Sequence, residues 1–268
     1  MGFHRRGYTV RRILLAVMVL ESLFTVEEAE KEPSNLFLLG IVISTVALWL
    51  SFYIFPQGAS TWMLFIITLA VVPLMHKAFM IEEAKGIIPS RKLLRGHFPI
   101  IKMYIYLFLG IFVSLVFWYL FLPTHLLEII FSVQMNVAST ILSDGSILMM
   151  SLKVLGLFML LTFLYGAGGI LILAWDAALS SVIVGNLLKH IFLGTYSSGM
   201  LAILLPSLFE IIGYSLAAIA AGILSVAFYK GHLRGKFAKY ILIDFAVLTL
   251  LALIMVSIGA LVAQGVVV

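Results

Sequence analysis

The chain has 268 residues and a formal net charge of +5, with 63% apolar residues, 11% charged residues and no cysteine. A soluble domain carries about 45–50% apolar and about 25% charged residues, so this composition excludes a soluble globular fold. The absence of cysteine excludes disulfides, thiolate catalysis and iron–sulfur clusters. We interpret the positive charge against a lipid bilayer, and we expect no nucleic-acid partner.

The amino-terminal segment, residues 1–33, predicts a cytoplasmic or interfacial element and not a membrane span. Its apolar run at 13–20 follows two arginine pairs and is interrupted at Glu21. Apolar residues then continue with acidic residues opposite or beyond them, which predicts an amphipathic helix over 8–31 lying along the membrane interface. The alternative is a helix packed against the cytoplasmic ends of a helix bundle.

Long apolar segments predict transmembrane helices, because crossing the hydrocarbon core takes about 20 such residues. They lie at 36–55, 62–80, 99–121, 147–188, 201–229 and 240–262. A single helix over 147–188 would be about 63 Å long, roughly twice the core thickness. The chain must therefore turn back, and Gly166, Gly168 and Gly169 accept the backbone angles of a tight turn. The sequence predicts an all-α polytopic transmembrane bundle of about seven spans.

Three regions follow from this assignment. Residues 1–33 form the interfacial segment, residues 34–98 the first two spans with a basic loop, and residues 99–268 a five-helix membrane core. Between the third and fourth spans, residues 124–146 contain no lysine or arginine and repeat apolar residues at helical spacing. We expect a helix there that lies on the outer surface of the membrane or dips into it.

The distribution of lysine and arginine predicts the orientation of the chain. Most of them fall in three groups, before residue 32, between 77 and 102, and between 230 and 239. With seven spans all three groups lie on one side, whereas a single span over 147–188 would move the last group across. Because basic loops stay in the cytoplasm, we expect the plasma membrane, with the amino terminus inside and the carboxyl terminus outside.

Three ionisable residues lie within predicted spans, where such side chains are costly and are functional candidates by default. They are Lys153, Asp176 and Glu210. Lys153 and Glu210 are expected about 9 and 13 Å from the outer surface, so they could pair. The pair would be a structural clamp, part of a solute or proton pathway, or catalytic. Asp176 could instead accept hydrogen bonds near the first turn of its helix, where the helix dipole favours a carboxylate.

Small residues recur every four positions in the sixth predicted span. Ala217 and Ala221 lie on one line, and Gly222 lies on the neighbouring line. Such lines allow close approach of helix backbones in a membrane. The partner would be another helix of the same chain or, alternatively, a second copy in a homodimer.

Signatures of catalysis, metal binding and cofactor binding are absent from the sequence. The six histidines are scattered without the spacing of metal ligands. No glycine-rich phosphate loop is present, because no lysine or hydroxyl residue follows the glycines at 166–169. We therefore expect neither catalysis nor a cofactor. An intramembrane hydrolase would need a water-filled cavity at Glu210 and a second catalytic group.

Two segments resemble the stage II sporulation protein M family in its archaeal-type form. Residues 163–178, FLYGAGGILILAWDAA, resemble its paired central helices, and residues 210–225, EIIGYSLAAIAAGILS, resemble its next helix. Where the family has a His-Gly pair before the glutamate, this chain has Pro206 and Ser207. The resemblance implies a non-catalytic scaffold that organises membrane protein partners. The alternative is a transporter or channel that uses Glu210, Asp176 and Lys153 beside a broken helix.

Overall fold

A computed structural model describes residue 32 and residues 34–86, 93–143, 147–165, 169–194, 204–234 and 238–267. These residues form nine α-helices and two short 3-10 turns, and they contain no strand. The predicted all-α membrane bundle is confirmed. The predicted amphipathic helix over 8–31 lies outside the described residues.

The α-helices are numbered here in chain order. They are α1 Ser34–Ile54, α2 Ala59–Gly86, α3 Leu93–Phe121, α4 Thr124–Ile130, α5 Ser132–Ser143, α6 Ile147–Tyr165, α7 Gly169–Phe192, α8 Leu204–Tyr229 and α9 Ala238–Val267. In the described chain, 6 of them are long and apolar enough to cross a membrane: α1, α2, α3, α7, α8 and α9. Helix α6 is shorter, with 19 residues, and extends about 28 Å, which still approaches the thickness of the hydrocarbon core.

The chain reverses direction between α6 and α7. Helix α6 ends at Tyr165 and α7 begins at Gly169, while Gly166 and Gly168 lie outside the described residues. A Cβ atom on Gly169 would overlap the Thr162 hydroxyl and lie 2.6 Å from the Phe158 ring. The first residue of α7 therefore packs against the last two turns of α6, which requires a glycine and places the hairpin where the sequence predicts it.

Hydrogen bonds show that α6 and α8 run in the same direction. Near their beginnings, the Ser151 hydroxyl donates a hydrogen bond to the Glu210 carboxylate. Near their ends, the Tyr229 hydroxyl donates one to the Leu164 carbonyl oxygen at 3.0 Å. The end of α8 therefore lies beside the hairpin end of α6, and the basic segment after residue 229 begins at that end of the bundle.

Helix α9 returns antiparallel to α8. Gly213 of α8 lies against Val256 of α9. About two turns earlier in α8, Pro206 lies against Gly259, which comes one turn after Val256 in α9. Close contacts at both positions hold α8 and α9 together in the half of the bundle that lies away from the α6–α7 hairpin.

The opposite end of the bundle carries the short helices. The Ser60 hydroxyl at the start of α2 donates a hydrogen bond to the Gln134 side chain of α5, and the Lys189 amine lies 4.8 Å above the centre of the Tyr119 ring. The surface helix predicted over 124–146 is two helices, because the backbone leaves the α-helical region at Phe131 (φ −113°, ψ 16°). Residues 144–146 are outside the described part.

The side of the membrane that each end of α8 faces can be tested by labelling single introduced cysteines, since the chain has no cysteine of its own. Leu193→Cys and Lys230→Cys place thiols at exposed positions at opposite ends of the bundle. We expect a membrane-impermeant maleimide to label Leu193→Cys in intact cells and Lys230→Cys only after permeabilisation, because the positive-inside rule predicts that the basic group at 230–239 is cytoplasmic. Labelling of both positions from the same side would contradict the crossing by α8, and labelling of Lys230→Cys but not Leu193→Cys in intact cells would contradict the predicted orientation.

Candidate functional site

A cavity of about 570 Å³ lies between α2, α5, α6, α7 and α8. Most of its wall consists of leucine, isoleucine, valine, methionine and aromatic side chains. The ionisable or hydroxyl-bearing residues of the wall are Thr61, Ser151, Asp176, Glu210 and Tyr214. Two carboxyl groups thus face an otherwise apolar space at the depth of the membrane spans.

Glu210 reaches the cavity from the second turn of α8. Its carboxylate accepts a hydrogen bond of 2.6 Å from the Ser151 hydroxyl of α6. On its other side, a Cβ atom on Gly259 would lie 3.1 Å from the Glu210 Cγ atom, so the glycine leaves room for the glutamate between α8 and α9. The carboxyl group is held in place by one donor and by close packing.

Tyr214 extends this polar cluster by one turn of α8. Its ring stacks on Phe158 with 5.8 Å between the ring centres, and it lines the cavity together with Ser151 and Glu210. The stacked ring fixes the tyrosine against α6.

Asp176 reaches the same cavity from α7. It is half-buried and lines the cavity together with Glu210, close enough for the two carboxyl groups to interact electrostatically. Helix α7 begins at Gly169, about two turns earlier, so Asp176 is beyond the first turn and does not cap the helix. Within the described part of the chain, no hydrogen bond or ion pair satisfies this carboxyl group.

Lys153 does not join the cluster. The side chain is exposed, and it lies two residues after Ser151, which rotates it about 200° around α6 relative to that serine. Because Ser151 faces Glu210, Lys153 faces away. The predicted pairing of Lys153 with Glu210 is not formed, and no lysine, arginine or histidine lies among the described residues of the cavity wall.

The small residues of α8 pack against other helices of the same chain. Ala217 and Ala221 are almost completely buried, and Gly222 is buried as well. A homodimer could not form through this face without separating α8 from its neighbours.

The arrangement can bind a positive charge. Two acidic side chains repel each other in a medium of low polarity unless a proton or a cation lies between or beside them. The described residues contain no group of three histidine, cysteine, aspartate or glutamate side chains that could hold a metal ion. The carboxyl pair can exchange protons or bind a cation.

Two residues of the cluster, Ser151 and Tyr214, were not singled out as site residues by the sequence analysis. Tyr214 follows Glu210 by four residues, and residues at that spacing lie on the same helix face. This spacing could have predicted that Tyr214 lies beside Glu210. No comparable signal exists for Ser151, because its role depends on how α6 is rotated.

Comparison with models of known protein families, with curated proteins and with solved structures gave no match for this chain. The resemblance to the stage II sporulation protein M family therefore stays a prediction, and the chain is described by what its structure contains: a multi-pass helical membrane protein with a carboxyl pair facing an intramembrane cavity.

Proposed function

We propose that this membrane protein transports a cation through the cavity, with Asp176 and Glu210 as the groups that bind it. The observation that carries the proposal is that both carboxyl groups face one cavity while the nearest candidate counter-ion, Lys153, faces away. Ionisable residues within membrane spans that face the bundle interior or a cavity often mark substrate and proton pathways.

Burying two carboxyl groups beside each other is costly when they are charged. An ionised carboxylate in an apolar medium costs several kcal/mol or more unless a partner offsets it. Glu210 has one hydrogen bond, and Asp176 has none within the described residues. A cation that enters the cavity would offset the electrostatic cost of both carboxylates at once. This stabilisation by a bound cation supports a transport role over a structural one.

The proposal includes a cellular setting. We infer that the protein lies in the plasma membrane with its basic end in the cytoplasm, because basic residues between spans are retained there. We also infer that it is not an enzyme, because the wall around Asp176 and Glu210 is mostly apolar and favours an apolar occupant over the water that hydrolysis by a carboxyl pair would need.

Current measurements on proteoliposomes test the proposal. Vesicles adsorbed to a solid-supported membrane are exposed to concentration jumps of protons, sodium or tetrabutylammonium, an ammonium ion with an apolar body, at constant chloride. We expect a transient current for at least one of these cations. The double variant Asp176→Asn/Glu210→Gln should reduce that current at least about tenfold, because neutral amides cannot compensate the charge of the bound cation.

The matched control is Glu128→Gln, which makes the same chemical change on an exposed residue of α4. Its current should equal that of the unmodified protein. Absence of current for all three cations, or an equal current from the double variant, would overturn the transport proposal.

The second candidate function is a non-catalytic scaffold that organises membrane protein partners. It is supported by the family resemblance and by an exposed apolar face that runs the length of α1: Leu38, Val42, Val46 and Leu50. Such a face matches one partner helix as well as it matches lipid. Under this function we expect crosslinking through α1 to capture the same membrane proteins with and without the carboxyl pair, and no cation current.

A further inference from the structure

We propose that the cation is amphiphilic, an organic amine or ammonium group on an apolar body, and that it enters the cavity from the bilayer. This inference rests on the proposed cation-binding role of Asp176 and Glu210 and adds the class of substrate and its route. Three observations carry it: the composition of the cavity wall, the shape of the cavity and the position of its opening.

The cavity wall matches an apolar body with one positive group. A small hydrated ion would lose its water shell against leucine, isoleucine and valine side chains and would find only two carboxyl groups and three hydroxyl-bearing side chains in return. An amine with a hydrocarbon or aromatic body uses the same two groups and also removes apolar surface from contact with polar surroundings. Trp175 and Phe65 add aromatic rings to this wall, and such rings attract ammonium groups.

The cavity is also long enough for such a molecule. Along α6 it extends from Met150 to Leu161, which corresponds to about 16 Å, roughly half the thickness of the hydrocarbon core. Its volume of about 570 Å³ falls within the range of roughly 300–1,000 Å³ typical of pockets for drug-sized ligands. The polar cluster lies near the Ser151 end, and the part beside Leu157, Leu161 and Leu171 is apolar. A ligand would place its charged group at the polar end near Ser151 and its apolar body at the end near Leu161.

Helix contacts and side-chain exposure indicate that the cavity is open on the side between α2 and α6. Helices α2 and α6 flank the cavity, but α2 packs on α1, α7 and α8, and α6 packs on α8 and α9, without extensive contact between α2 and α6. Apolar side chains at this gap are exposed: Phe65 by 45%, Met150 by 43% and Leu157 by 51%. In a membrane-spanning bundle, exposed apolar surface of this kind contacts acyl chains. A molecule dissolved in the bilayer can therefore reach the carboxyl pair without passing through water.

A matched pair of fluorescent probes tests the inference on the full chain in lipid nanodiscs. One probe is a dansyl-labelled dodecyl chain that ends in a primary amine, and the other is the same chain ending in a hydroxyl. Binding is followed by energy transfer from tryptophan, after subtraction of the signal from empty nanodiscs. We expect the amine to bind at least about tenfold more tightly than the alcohol, since a charge-assisted contact is much stronger than a neutral one.

The double variant Asp176→Asn/Glu210→Gln should bind the amine no better than the alcohol, while Glu128→Gln should behave as the unmodified protein. Trp175→Phe removes the tryptophan of the cavity wall and should lower the energy transfer. Equal affinity for the two probes, or undiminished amine binding by the double variant, would overturn the inference.

The two proposals can fail separately. Charge-selective binding of the amine without any cation current would keep the binding site and remove the transport function. A cation current for protons or sodium without charge-selective binding would keep the transport function and remove the amphiphilic substrate.

Discussion

Replacing Gly110 with alanine should separate α1 from α3 and cost about 3 kcal/mol of stability, seen as a fall of about 10 °C in the melting midpoint of the detergent-solubilised protein. The reason is a backbone-to-backbone contact. A Cβ atom at Gly110 would overlap the Phe37 carbonyl oxygen and lie 2.9 Å from the Phe37 carbonyl carbon. Backbone atoms of two packed helices cannot yield as the tip of a side chain can, so the helices must move apart.

The same crossing offers a second variant and the chain offers a control. Gly40→Ala would place a Cβ atom 2.8 Å from the Leu107 carbonyl oxygen and should have a similar effect. Gly156→Ala adds a methyl group on α6 with nothing within 4 Å, so its melting midpoint should be unchanged. If Gly110→Ala and Gly156→Ala had the same melting midpoint, the close approach of α1 and α3 would be refuted.

Polar contacts along this crossing would also be disturbed. The Thr45 and Ser114 hydroxyl groups lie 3.0 Å apart, and the Trp118 indole donates a hydrogen bond of 3.2 Å to Thr45. These contacts hold two parallel helices in register where hydrophobicity provides no drive for association. Their loss adds to the expected effect of Gly110→Ala.

Hydropathy and chain length predicted the helices well because the membrane imposes a single strong constraint. A run of 42 residues from 147 to 188 cannot cross a core of about 30 Å as one straight helix, so the hairpin at the glycines followed from geometry. The break at Phe131 did not follow, because residues 124–143 lie at the end of the bundle. There, helices are shaped by local packing against Tyr119 and α2 and not by the thickness of the bilayer.

The candidate site was predicted in part. Composition singled out Asp176 and Glu210, because charged residues are rare inside spans. Depth along the helix axis then suggested Lys153 as the partner of Glu210, but depth says nothing about rotation around the axis. Ser151 and Lys153 differ by only two residues and lie on opposite sides of α6, and it is Ser151 that contacts the glutamate.

The approach of Gly40 to Gly110 illustrates the same limit. Both glycines are visible in the sequence, but 70 residues separate them, and many glycines in membrane helices serve other purposes. Which two helices cross at their glycines depends on the packing of the whole bundle, and that cannot be read from one chain.

The central claim, that Asp176 and Glu210 face each other across one cavity, can be tested most directly by thiol crosslinking. The chain has no cysteine, so Asp176→Cys/Glu210→Cys contains the only two thiols. Treatment with dibromobimane, which becomes fluorescent when it bridges two thiols, should yield a crosslinked and fluorescent product in most molecules. The control pair Lys153→Cys/Glu210→Cys should yield little, because residue 153 faces away from the cavity. Efficient bridging of the control pair with none between 176 and 210 would contradict the claim.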